Sequence, residues 1–236
     1  MTWREFWSRE NSIYVNDRHK QVHYTDIAND IVAIIPSRAS RVLDFGCGEA
    51  LSAPMVAEAC SQLLLCDTSE LVRRKLVAAY ASRPNVRVLS LEDVAALPAA
   101  TLDLVVINSV IQYLSRSELD QTIALLAPKL APEGVLVIAD VIPPTSSAIT
   151  DALALLRYGA RNGFLFAAGL GLVRTFFSDY RRKRAELGLS FYEPGDITAL
   201  IEAHGLAVRR RPLNLGHNQG RMTFEARPAA RTGRPG

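Results

Sequence analysis

A chain of 236 residues with 49% hydrophobic residues, 22% charged residues and a mean hydropathy of +0.09 is long and apolar enough for a sizeable core, which excludes a disordered protein. Cys47, Cys60 and Cys66 are too few for a disulfide framework, no Cys/His spacing matches a zinc site, and the longest apolar run, Gly163 to Val173, is too short to span a bilayer. The formal charge of +3 is mild, and Met1 to Phe6 lacks the apolar stretch of a signal peptide, so a cytoplasmic protein without integral membrane association is expected.

Before the first strand, Tyr24, Ile27, Ala28, Ile31 and Val32 fall at the spacing of an amphipathic helix. Short apolar runs then alternate with helix-period stretches. Strands are expected at Arg41 to Phe45, Leu63 to Cys66, Val86 to Leu89, Leu104 to Asn108 and Val135 to Ala139. Helices are expected at Ala50 to Cys60, Ser69 to Tyr80 and Ser117 to Leu130, the last with Ser117 as N-cap. Near-continuous Val, Ile and Leu in each strand predicts a parallel sheet covered on both faces.

After Pro143-Pro144 the pattern becomes helical from about Ser147 to Gly188. A helix at Gly195 to His204 and strands at Leu206 to Arg211 and Arg221 to Ala226 close the chain. The expected fold is therefore α/β: a doubly wound, mainly parallel seven-stranded sheet with helices on both faces and a helical cap inserted between strands 5 and 6. One domain is expected, divided into an N-terminal helical lid (1–40), a ligand-binding core (41–146), the cap (147–194), closing elements (195–229) and a frayed tail (230–236).

Chemistry concentrates where the first strand ends, in Asp44-Phe45-Gly46-Cys47-Gly48-Glu49-Ala50. A Gly-x-Gly turn removes side chains so that backbone approaches a ligand, and Asp67, 21 residues after Gly46, closes the second strand where a carboxylate accepts from ribose hydroxyls. A nucleoside-containing ligand fits this pair. Leu51 stands where a dinucleotide fingerprint has its third glycine, and Asp44 puts negative charge beside the turn, so pyrophosphate is disfavoured while a ligand bearing ammonium and sulfonium charges gains. Read one at a time, the glycines are also a plain strand-to-helix turn, and Asp67 and Asp93 are also cap residues.

Val42-Leu43-Asp44-Phe45-Gly46-Cys47-Gly48-Glu49 resembles the first motif of the class I, Rossmann-like S-adenosylmethionine-dependent methyltransferases. Asp67 sits where that family's ribose-binding acid lies, and Glu92-Asp93-Val94-Ala95-Ala96-Leu97-Pro98 resembles the segment whose Asp contacts the adenine amino group. Leu102 to Ser109 and Leu130 to Ile138 resemble its fourth strand and the turn into its fifth, so the likeness spans Val42 to Ile138. It implies S-adenosylmethionine as methyl donor, S-adenosylhomocysteine as product, and Asp44, Gly46, Cys47, Gly48, Asp67, Thr68, Glu92, Asp93 and Asn108 as cofactor-binding residues. Ala50 departs from the family, where many members have another Gly, and Asn108-Ser109-Val110-Ile111 lacks the motif of DNA-adenine and protein-glutamine methyltransferases.

Methyl transfer from an activated donor asks mainly for alignment, with a base where a proton must leave. Candidate acceptor-binding residues are Tyr14, Arg18, His19, Gln112, Tyr113 and Asn218, and His217 or His23 is the candidate base beside the alternative of structural histidines. A small-molecule acceptor is expected, with no metal and no nucleic acid. From Ala207 onward seven arginines face a single acid, Glu225, a run read as a solvated edge. The apolar cap, with Phe164, Phe166, Leu170, Phe176 and Phe177 ahead of Arg181-Arg182-Lys183-Arg184, reads as helix packing or a homodimer contact, as an apolar lid, or as an interfacial helix for peripheral contact with a membrane. A non-catalytic S-adenosylmethionine-binding protein is the alternative from another functional class.

Overall fold

The computed structural model describes residues 14–176 and 188–229. The expected tail at 230–236, Phe177, the basic run Arg181 to Arg184 and the far end of the expected cap lie outside the described residues.

Seven strands form one sheet: β1 Arg41–Phe45, β2 Gln62–Cys66, β3 Val86–Leu89, β4 Leu102–Asn108, β5 Leu130–Val141, β6 Leu206–Arg210 and β7 Met222–Pro228. Their spatial order is β3-β2-β1-β4-β5-β7-β6. The five strands from β3 to β5 in this order are parallel, and β7 runs antiparallel to both β5 and β6. Helices cover both faces: α1 Asp17–Ile34, α2 Ala53–Glu58, α3 Glu70–Tyr80, α4 Leu91–Ala96, α5 Arg116–Leu126, α6 Ala148–Asn162, α7 Leu165–Phe176 and α8 Pro194–Glu202.

Alternation within β1 separates the two cores. Leu43 and Phe45 pack with Leu119 and Ile123 of α5 and Ile197 and Ile201 of α8, whereas Val42 packs on the other face with Ala28 and Ile31 of α1 and Val56 of α2. Parallel strands buried on both faces need this run of branched apolar residues, since each position has a hydrophobic neighbour whichever way it points.

Three expectations change in detail. Ser115, not Ser117, caps α5: Ser115 and Glu118 close a reciprocal capping box, and Ser117 already lies in the first turn of the helix. A second box, Ser90 with Asp93, starts α4, where no helix was expected. The single long helical region breaks into α6 and α7 at Gly163, whose φ of +77° ends α6 in the left-handed conformation that glycine adopts without strain.

Along the arginine-rich edge the guanidinium groups of Arg209 and Arg227 stay largely solvated but are engaged by a buried acid. Glu225 on β7 has only 3% of its side chain exposed and accepts hydrogen bonds from Arg209, Arg211 and Arg227. Burial alone would raise its pKa, but the bonds from Arg209 and Arg227 prevail and hold it below the ordinary carboxylate range. Arg221 is likewise engaged by Asp151 of α6, with bonds of 2.8 Å to both oxygens. Four of the seven arginines thus serve two carboxylates. Replacing Glu225 by Ala leaves three guanidinium groups facing one another, each still partly solvated. The expected loss is about 2 kcal/mol, short of the roughly 3–5 kcal/mol for breaking a fully buried pair. A melting temperature lower by about 4–8 °C in thermal denaturation would show it.

Candidate active site

The strand order reverses between β1 and β4, the point in an open α/β sheet where a crevice forms beyond the carboxyl ends of the strands. The loop after β1 turns there. Gly46 has φ of +78°, and a Cβ on it would lie 2.4 Å from Val110, just past β4; Gly48 has φ of +56°. Glycine at these two positions is therefore required by backbone conformation and, at Gly46, by the closeness of β4. The backbone N–H groups of Gly46 and Cys47 donate to the Cys66 carbonyl, tying the loop to the end of β2.

Asp67, which follows β2, faces the same loop. One carboxylate oxygen accepts from the Gly48 N–H at 3.1 Å and the other from the Ser69 N–H at 2.8 Å, leaving each with a lone pair for a further donor. Burial raises its pKa against the pull of these bonds and of Arg73. Asp44 sits behind the turn, and burial followed by the repulsion of Asp67 raises its pKa to about 7. Asp44, Gly46, Cys47 and Asn108 line a cavity of about 60 Å³ with Tyr24 and Ile27 of α1. Asn108 Oδ1 is buried there without a hydrogen-bond partner. An unpaired acceptor and a carboxyl group poised to ionise suit a ligand that brings N–H donors and positive charge.

Residues 43–138 match the model of the Methyltransferase domain family. The match spans the strand ends that build the site, and it agrees with the likeness read from the sequence. S-adenosylmethionine is the donor that the sequence resemblance implies. The described residues are also similar in fold to solved structures at low identity. Magnesium protoporphyrin IX methyltransferase from Synechocystis, with bound S-adenosylhomocysteine, superposes with a TM-score of 0.57 at 19% identity, covering 95% of this chain and 91% of that one. Mitomycin 7-O-methyltransferase superposes with a TM-score of 0.60 at 19% identity over 88% of this chain but only 54% of that protein. A [4+2]-cyclase, SpnF, matches with a TM-score of 0.54 at 18% identity over 79% of this chain and 58% of that one. No curated protein matches the chain.

The remaining expected cofactor residues of the methyltransferase lie along the same edge. Thr68 is exposed next to Asp67, with its carbonyl accepting from Arg73. Glu92 and Asp93 lie exposed in the first turn of α4, where one Asp93 oxygen accepts from the Ser90 N–H at 2.8 Å. Asp93 is thus a cap residue whose other oxygen is available to a ligand.

Helix α1 crosses this edge and brings several of the expected acceptor-side residues with it. The Tyr24 hydroxyl accepts from the Glu49 N–H at 3.2 Å, and Lys20 pairs with Glu49, so the helix is clamped to the glycine loop. His19 and His23, four apart on α1, meet His217 from the loop between β6 and β7, and the three ring centroids lie 6.3–6.5 Å from one another. Tyr14 packs edge-on to His19, His19 stacks on Phe164, and His217 stacks on Tyr158 of α6 at 4.1 Å. The Tyr158 hydroxyl donates to Asp26 at 2.6 Å, and Gly216 N–H donates to Asp30, which fixes the loop and α6 against α1.

Burial, then His217, lowers His19 to about 4, and burial with both neighbours lowers His23 to about 3. Burial also lowers His217, against the pull of Asp26. All three rings are therefore neutral at pH 7. Among the described residues no group of three His, Cys, Asp or Glu is placed to hold a metal ion, this trio included.

The other expected acceptor residues divide. Gln112 is buried in a turn after β4 with Oε1 unpartnered, beside the half-buried Tyr113. Asn218 donates to Asp151. The Arg18 guanidinium donates to the Asn162 carbonyl at the end of α6, away from the cluster's interior. His204 pairs with Asp120 of α5 and takes no part.

One group was missed. Asp140 closes β5 within an irregularity of the β5–β7 register, at φ of +59°, and accepts from Ser109 Oγ at 2.8 Å. Ser109, itself at φ of +57°, follows β4. Burial raises the Asp140 pKa against Arg221 and Ser109. An acid ending an apolar strand was the same signal that singled out Asp67.

Two outcomes follow from this geometry. A cation bound beside Asp44 favours its ionised form, so S-adenosylmethionine binding takes a proton off Asp44 below pH 7. Affinity is expected to rise as pH approaches about 7 and to level off above it. Calorimetric titration in buffers of different ionisation enthalpy reads the released proton, and Asp44→Asn should abolish both the release and the pH dependence. Separately, Ala50 is held at φ of +43° while buried. Ala50→Gly relieves a left-handed strain of roughly 1–2 kcal/mol, partly offset by the greater freedom of glycine in the unfolded chain. A gain of up to about 1 kcal/mol in urea unfolding is expected.

Proposed function

We propose that this methyltransferase transfers the methyl group of S-adenosylmethionine to O, N or C of a small-molecule acceptor lodged between α1, α6 and the loop carrying His217. The observation that carries the reading is the meeting, at one sheet edge, of a cofactor-side set and an acceptor-side set joined through Tyr24. On the cofactor side we assign Asp67 and Asp93 to the nucleoside, Asp44 and Asn108 to the charged amino-acid end, and the Gly46, Cys47 and Gly48 backbone to close approach, with Thr68 and Glu92 flanking. On the acceptor side we assign Tyr14, His19, Gln112, Tyr113 and Asn218, with Arg18 holding the C-terminal end of α6. We further assign α1 as lid and α6 with α7 as cap.

Bound S-adenosylmethionine supplies a methyl carbon on a sulfonium, already activated for in-line displacement. The chain's own part is to orient the acceptor and exclude water, which the close-packed aromatic and histidine rings favour. Neutral imidazoles are free to accept a proton. His217, near Asp26 and Asp151, is better placed for that role than His23, whose pKa of about 3 makes it a weak base. Asp140, a buried carboxyl of raised pKa beside Ser109, is a second candidate.

The reading is tested by calorimetric titration with S-adenosylmethionine and S-adenosylhomocysteine, followed by a screen for methyl transfer from labelled donor to a metabolite library. Asp67→Ala removes two hydrogen bonds to the ribose, each of about 0.5–1.5 kcal/mol, and is expected to weaken both ligands by roughly one order of magnitude or more. Unchanged affinity in that variant would remove Asp67 from the site. Binding without transfer to any acceptor would favour the non-catalytic alternative.

A further inference from the structure

The α6–α7 hairpin has two faces of opposite character. Inward, Tyr158, Phe164 and Ala168 are buried against Val15 and Val22. Outward, Ile149 and Leu153, four apart on α6, are 73% and 46% exposed, and on α7 Phe166 is 95% exposed beside Leu165 and Leu170. Single exposed apolar residues need no explanation, but five on one hairpin form a patch of the kind that marks a contact surface. Arg157 and Arg161 are exposed on the same side of α6, at i+4 and i+8 from Leu153. The one acid of the hairpin, Asp151, is held by Arg221 and Asn218.

We propose that this outer face docks the protein peripherally on an anionic lipid surface, with Phe166 and Leu170 entering the headgroup boundary and Arg157 and Arg161 meeting lipid phosphates. Charge decides between occupants. In a two-fold dimer the same face would meet itself, gathering four arginines into one interface with no acid on the hairpin left to pair them. An anionic bilayer supplies the missing negative charge and takes up the apolar side chains together. No helix among the described residues is long and apolar enough to cross a membrane, so the contact is a surface one.

Co-sedimentation of the full chain with mixed phosphatidylglycerol and phosphatidylcholine vesicles at low salt tests the proposal. Binding is expected to the mixed vesicles and not to phosphatidylcholine alone. Arg157→Ala should weaken it about fivefold, the worth of one basic residue near such a surface. The double variant Phe166→Glu with Leu170→Glu should abolish it while leaving the melting temperature and S-adenosylmethionine affinity unchanged, which separates this proposal from the catalytic one. Absence of binding at low salt overturns it. So does equal binding by the double variant, or a dimer in analytical ultracentrifugation that the double variant dissolves.

Discussion

The carboxyl group of Asp44 is buried at the point where the strand order reverses, with Asp67 as its charged neighbour, and the two together cannot ionise cheaply without a cation between or beside them. The sheet creates this situation. β1 pairs with β2 on one side and β4 on the other, in registers that bring Phe45 level with Cys66 and Asp44 level with Val106, so the acids at the ends of β1 and β2 converge on one loop. The ligand-free protein carries an electrostatic debt at that spot, and a ligand with positive charge near the glycine turn relieves it. Anionic pyrophosphate would deepen it, which is why the same glycine pattern turns toward a sulfonium donor here.

Backbone strain gathers at the same edge. Ala50 after β1, Ser109 after β4 and Asp140 within the end of β5 are three of the four non-glycine residues with positive φ among the described residues. Each such residue costs of order 1 kcal/mol or more, and residues of this kind cluster where a site has to be shaped. The Ser109–Asp140 bond explains how two of them persist, since each holds the other's side chain in place. The irregular register between Ile138 and Val141 is the device that turns Asp140 toward Ser109, as a bulge does at a strand end.

How much of this was legible in the sequence depends on how local its cause was. β1 and β3 have the expected bounds because each is a short run rich in Val and Leu that ends at a turn or cap residue, Gly46 after β1 and Ser90 after β3, a local signal. Asp44, Gly46, Gly48 and Asp67 were legible because fixed spacing puts them on one loop and one strand end. β5 begins earlier than expected because Pro132-Glu133-Gly134 reads as a turn, whereas its pairing with β4 resumes at Leu130. Helix α4 was hidden because Glu92 and Asp93 read as ligand residues, although Ser90 and Asp93 have the spacing of a capping box. Ser115 and Ser117 both have an acid three residues on, Glu118 and Asp120, so spacing alone did not choose between them. The meeting of His19, His23 and His217, and the pairing of Arg221 with Asp151, had no local signature, since they join residues far apart in the chain.

That division follows the architecture. The donor side is built from consecutive strand ends, so its chemistry is written in short motifs that recur wherever the fold recurs. The acceptor side is built from what is added to the sheet: α1 before it, α6 and α7 between β5 and β6, and the loop between β6 and β7. Those additions are held together by specific bonds such as Tyr158 to Asp26 and Gly216 to Asp30, which cross long stretches of sequence. Their burial keeps the histidines neutral, and neutrality in turn lets the rings pack on Tyr158 and Phe164 without the cost of a buried charge. Under the proposed assignment, selectivity for the acceptor would rest on the shape of these packed rings and on unpaired acceptors such as Gln112 Oε1, more than on net charge.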